Sequence, residues 1–226
     1  MFKLSKSFVV AGSLAALMCV LAPVANAGWP TMPSLGGPKG ATHSDLGASQ
    51  QALVTAFVGS QREILQAQAL LERAYGFKDR AELLEAQQTA LASGAVDENS
   101  LKKTVELSQA ANQQIASEQA SKGTLTSDER AAYTASLPHF ALGVVGTSKT
   151  VSDAQSFASS AASGGGALTG MLTGADKLKV GLYIAKVTPA YSKSLYSVFK
   201  NTVMIGRKNG VKIPADATSA LGSLSP

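Results

Sequence analysis

The stretch DLGASQQALVTAFVGSQREILQAQALLERAYG, residues 45–76, decides the fold class. Leu46, Leu53, Phe57, Ile64 and Leu71 recur at spacings of 7, 4, 7 and 7, which sets them in one stripe down a helix of roughly 30 residues. A strand needs alternation with period two, and no segment of the chain sustains it. Gly76, directly after Tyr75, is a natural stop, because glycine takes the left-handed conformation that ends helices without a Cβ penalty.

The same period continues downstream. Asp79 with Glu82 opens a second helix carrying Leu83, Leu84 and Leu91 and ending at Gly94. Asp97 or Ser100 opens a third, with Leu101, Val105, Leu107 and Ile115 before Lys122-Gly123 closes it. Its lower half, QAANQQIASEQAS (109–121), is barely amphipathic, so neighbours must hold it helical. Thr124 or Ser127 caps a fourth, expected to break or restart at Pro138. The fold predicted is all-α: an antiparallel bundle of about five to six helices over residues 45–210, with a C-terminal tail at 211–226.

Upstream lies MFKLSKSFVVAGSLAALMCVLAPVANAGWP, residues 1–30. Lys3 and Lys6, an apolar run from Phe8 to Leu21 and the small-x-small Ala25-Asn26-Ala27 are the parts of a secretion signal, expected to be cleaved after Ala27. The apolar run, about 14 residues, is too short to cross a bilayer comfortably. Residues 28–44, GWPTMPSLGGPKGATHS, read as a flexible Gly/Pro leader. The expected location is the periplasm or the exterior. The one cysteine, Cys19, lies in the signal, so the exported chain forms no disulfide and depends on packing.

Charge is spread unevenly. Residues 28–175 hold 10 basic and 13 acidic side chains, and residues 176–226 hold 8 basic and 2 acidic. In KVGLYIAKVTPAYSKSLYSVFKNTVMIGRKNG (179–210) a basic residue stands at every seventh position: Lys179, Lys186, Lys193, Lys200 and Arg207. Seven residues turn a helix through about 700°, so the five share one face, roughly opposite the mean apolar direction. That is the pattern of a solvated helix face, yet apart from Asp176 before Lys179 no acidic residue lies three or four positions away to neutralise it. The face is a candidate contact for anionic lipid or polysaccharide, with Tyr183, Tyr191 and Tyr196 as interfacial aromatics. Pro189 suits the first turn of a new helix near Thr188, which would split the segment.

The glycine-rich segment at 159–175 reads as a flexible connection. It lacks the lysine of a phosphate loop, since Met171 stands there, and the third glycine of a dinucleotide fingerprint, since Thr169 stands there. Gly166, Gly170 and Gly174 alternatively form the small-residue ridge of a close helix pair. Catalytic chemistry finds little support. The histidines are His43 and His139, no thiol survives export, and no G-x-S-x-G elbow or cluster of zinc ligands occurs. Ser197-Val198-Phe199-Lys200 matches S-x-x-K but lacks its K-T-G companion. The chain therefore reads as a non-enzyme with no cofactor or metal: a binding or scaffolding module for an envelope protein or apolar ligand, or alternatively a peripheral binder of anionic surfaces, with an enzyme lacking any recognisable motif as the lesser alternative. Self-association is open, and nucleic acid is a poor partner outside the cytoplasm.

Overall fold

The computed structural model describes residues 43–93, 96–163 and 175–224. These form α1 (His43–Ala74), α2 (Lys78–Ser93), α3 (Glu98–Ser121), α4 (Ser127–Ser163), α5 (Ala175–Lys208) and α6 (Ala215–Leu224), and they contain no strand. The protein is an all-α multi-helix bundle. The expected signal at 1–27, residues 28–42 of the expected leader and residues 164–174 of the glycine segment lie outside the described residues.

Local chemistry sets most helix ends. Gly76 has φ +89°, its N–H donates to Arg73 O at 3.0 Å, and the Phe77 N–H donates to Glu72 O at 2.8 Å. These are the paired bonds of a Schellman cap, and Gly210 (φ +73°) closes α5 in the same way. Asp97 caps α3, accepting the Ser100 N–H at 2.7 Å while its own N–H donates to Ser100 Oγ at 3.1 Å. At α4 the reciprocal pair is Thr126 and Glu129, not Thr124 or Ser127: the Thr126 N–H donates to Glu129 Oε2 at 2.7 Å.

Helix directions follow from which residues meet. The Tyr191 hydroxyl donates to Gln61, 130 positions earlier, and the Gly181 N–H donates to Gln50, 131 positions earlier. Ser108 meets Tyr191, and Gln119 meets Thr202, both 83 positions apart. Near-constant offsets mean that α1, α3 and α5 run parallel. Against α1, α4 runs the other way: Gly143 faces Ile64, Gly146 faces Ser60, and Tyr133 faces Tyr75. A Cβ on Gly143 would lie 2.5 Å from Ile64 Cγ1 and 3.0 Å from the Ile64 nitrogen, so α1 and α4 touch almost backbone to backbone there.

The α1 stripe is buried throughout: Leu46, Leu53, Phe57, Ile64 and Leu71. Several expectations fail, each for a tertiary reason. Helix α4 passes through Pro138 and α5 through Pro189 without division. A proline in a lone helix costs about 3 kcal/mol. Here buried side chains flank each one, Leu137 and Phe140 in α4, Ile184 and Tyr191 in α5, and their packing outweighs the lost bond. Residues 159–163 are the last turn of α4 rather than a connection, and His43 and Ser44 open α1 rather than ending the leader. The expected tail at 211–226 contains α6, which lies on α4 and buries Ala217 and Ala220. Of the three leucines that α2 carries, Leu84 and Leu91 are buried, and Leu83 is 59% exposed because Leu84 takes the inward position.

Candidate functional site

Because α5 is continuous, its basic residues keep one phase. Lys179, Lys186, Lys193, Lys200 and Arg207 are all exposed, on a line of about 42 Å. Among the described residues Lys186, Lys193, Lys200 and Arg207 enter no ion pair. Two apolar side chains stand on the same face, Leu182 at 43% and Met204 at 49% exposure.

The three tyrosines separate. Tyr183 is half-buried, and burial, then the carboxylates of Glu106 and Glu98, push its phenol above the usual range. Those acids belong to α3, so the N-terminal half of the stripe has negative neighbours on another helix. Tyr196 is half-buried and, with Lys193, Ser192, Val144, Ser148 and Leu224, lines a cleft of about 320 Å³ between α4, α5 and α6. Tyr191 is no interfacial aromatic. Twelve positions after Lys179 it points into the bundle, 1% exposed, with its hydroxyl 2.8 Å from Gln61 Oε1 and 2.6 Å from Ser108 Oγ.

Tyr191 belongs to a feature that the sequence reading missed: a polar seam where α1, α3 and α5 meet. Gln68 Nε2 donates toward Ser108 O and Oγ, both at 2.9 Å, and Asn112 Oδ1 at 2.8 Å, three acceptors for two hydrogens. Further along, Gln119 Nε2 donates to Thr202 Oγ1 at 2.8 Å and Tyr133 OH at 3.0 Å, and Tyr133 OH lies 3.0 Å from Tyr75 OH. Burial pushes both of these phenols above their ordinary range, so they stay neutral hydrogen-bonding groups. At the level of Gln119 sits Glu72, fully buried, with Arg80 Nε of α2 at 3.4 Å as its ion-pair partner. The signal for the seam was present. Gln61, Gln68, Glu72 and Tyr75 are spaced 7, 4 and 3 apart, in phase with the apolar stripe.

Other chemistry is sparse. His139 Nδ1 on α4 pairs with Glu63 Oε2 on α1 at 2.7 Å, both about two-fifths exposed, a link across the bundle surface. An open cleft of about 560 Å³ follows α1 past Gln51, Val54, Val58 and Arg62 to Val96. Among the described residues no group of three His, Cys, Asp or Glu side chains could hold a metal ion, and no helix is long and apolar enough to cross a membrane. Compared with protein-family models, curated proteins and solved structures, the chain finds no match in any of the three.

Proposed function

We propose that this protein is an exported, non-catalytic helical module that attaches to anionic membrane lipid through the outward face of α5. The observation that carries the reading is the unpaired line of Lys186, Lys193, Lys200 and Arg207 on one helix face, interleaved with exposed Leu182 and Met204. The two apolar side chains favour lipid over polysaccharide, because they gain by entering an acyl layer and gain nothing on a hydrated sugar. The cleft beside Lys193, floored by Val144 and Leu224, would receive an apolar group whose anionic end meets the lysine. This reading joins the basic face to the apolar-ligand expectation.

Each basic residue near an anionic leaflet contributes about 1 kcal/mol. Replacing Lys186, Lys193 and Lys200 by Gln should therefore weaken binding by about 3 kcal/mol, roughly a hundredfold. Sedimentation with vesicles containing anionic phospholipid, at low and high salt, reads this directly. Binding that ignores salt, or is unchanged in the triple variant, sinks the reading. Export is tested separately: an envelope fraction should yield a chain beginning at Gly28.

A further inference from the structure

The unpartnered polar atoms of this bundle are concentrated in one place. Among the described residues the buried side-chain atoms without a hydrogen bond are Gln61 Nε2, Gln68 Oε1, both Glu72 oxygens, Asn112 Nδ2 and Gln119 Oε1. All lie on α1 or α3 along the polar seam. The amide orientations are fixed by their partners: Gln68 must donate to Ser108 O, and Thr202 has spent its own hydrogen on Val198 O. Four of the orphans are therefore acceptor oxygens, two of them on one fully buried carboxylate. The other two, Gln61 Nε2 and Asn112 Nδ2, are donors, and Arg80 Nε stands 3.4 Å from Glu72 Oε1; buried acceptors left without a hydrogen bond are costly unless a proton, water or cation reaches them.

The charged groups acting on Glu72 are Arg80 from α2 and Glu118 from α3. Toward the end of the bundle come Tyr75 of α1 and Tyr133 of α4, with Lys122 over the Tyr75 ring at 5.7 Å and paired to Glu129. On the α5 side, uncharged Thr202 stands at this level. Burial, opposed by Arg80, raises the Glu72 acid to about 7. Helix α3 is the element with most to lose here: from Ala111 onward its buried residues are Ala111, Asn112, Ile115 and Gln119, half of them polar.

We propose that Glu72 is a proton-operated latch on the C-terminal half of α3. Protonated, its O–H donates to a free amide oxygen of the seam, Gln68 Oε1 one turn earlier on α1 or Gln119 Oε1 at the same level on α3. Ionised, it releases that proton to solvent, draws water into the seam and lets residues 111–121 part from α1 and α5. The idea stands apart from lipid binding, because it uses none of the α5 surface.

The direction follows from linkage. Glu72 binds its proton more tightly folded than unfolded, so its contribution is complete below the ordinary carboxylate value and is lost as pH rises to about 7. Amide hydrogen exchange of the full chain, corrected for intrinsic rates, tests this between pH 4.5 and 8.5. Protection of residues 111–121 should fall about tenfold per pH unit up to neutrality and then level off, while α4 around Gly143 stays flat. Glu72→Gln should abolish the fall, and Arg80→Gln should extend it to higher pH by removing the cation that favours the ionised form. A flat wild-type profile, or the same fall in Glu72→Gln, overturns the proposal. Should the Gln variant not fold, a carboxyl-carbon NMR titration of the wild-type chain decides: a Glu72 midpoint near 4.5 overturns it and one near 7 supports it.

Discussion

Helix α1 has two neighbours of opposite character. Toward α4 it presents Ser60 and Ile64 to the bare backbone of Gly146 and Gly143, an approach with no room for a methyl group at Gly143. Toward α3 and α5 it presents Gln61, Gln68 and Glu72, whose hydrogen bonds are specific but incomplete. The first seam is held by dispersion and apolar burial, terms that grow with every atom in contact. The second is held by directional bonds that contribute about 1 kcal/mol each when made and penalise the fold when left open. One helix thus carries the bundle's tightest contact and its least satisfied one.

The contrast yields ordered expectations. Ile64→Ala, in the tight seam, should cost about 2–5 kcal/mol in denaturant unfolding, because the glycine-notched backbone of α4 cannot collapse into the void. A loss below about 1 kcal/mol would mean the seam is looser than its geometry. Gly143→Ala comes next. In an open helix this change gains about 0.5–1 kcal/mol, but here the new methyl meets Ile64 at 2.5 Å, and overpacking should turn it into a loss of about 1–3 kcal/mol. The milder Gly146→Ala meets the Ser60 side chain, first its hydroxyl and then its Cβ at 3.2 Å, so pairing it with Ser60→Ala should restore part of its loss in a double-mutant cycle.

In the polar seam the leading effect is one of pH. Thermal stability should decline from pH 5 toward 7 through Glu72 and be flatter in Glu72→Gln, read as Tm against pH. Asp97, which the Ser100 N–H holds below the usual range, titrates under this window and does not mask it. Smallest of all is Gln61→Met, expected within about 1 kcal/mol of wild type: it deletes one orphan, Gln61 Nε2, and the Tyr191 hydroxyl that loses Gln61 Oε1 can turn its hydrogen to Ser108 Oγ. A Gln61→Met loss as large as that of Ile64→Ala would erase the distinction between the seams.

How much of this was legible in the chain depends on the range of the interaction. The stops at Gly76 and Lys122, the Asp97–Ser100 start and the five-residue α1 stripe were all readable, because each is set within a few residues by φ preference, capping or periodicity. The basic face of α5 was readable for the same reason, and its phase survives in the fold. The continuity of α4 and α5 was not. Pro138 and Pro189 carry a local signal to stop, and only contacts from other helices reverse it. Tyr191 looked like an interfacial ring because aromatic type was weighed above angular position, and α6 was missed although Ala217, Ala220, Leu221 and Leu224 keep helical spacing, because a ten-residue segment at the chain's end is too short to hold itself helical without α4.

By itself the sequence determined that the chain is helical, where most helices start and stop, and that its cationic residues line one side of the last long helix. Those properties follow from torsional preference and from a period of 3.6 residues, which need no partner. Only the tertiary structure decided that two prolines are absorbed, that α1 meets α4 at bare glycine backbone, and that Glu72 is enclosed among unsatisfied amides. Those outcomes depend on what faces a residue across the bundle, and burial can overrule a local preference only once the facing helix is in place.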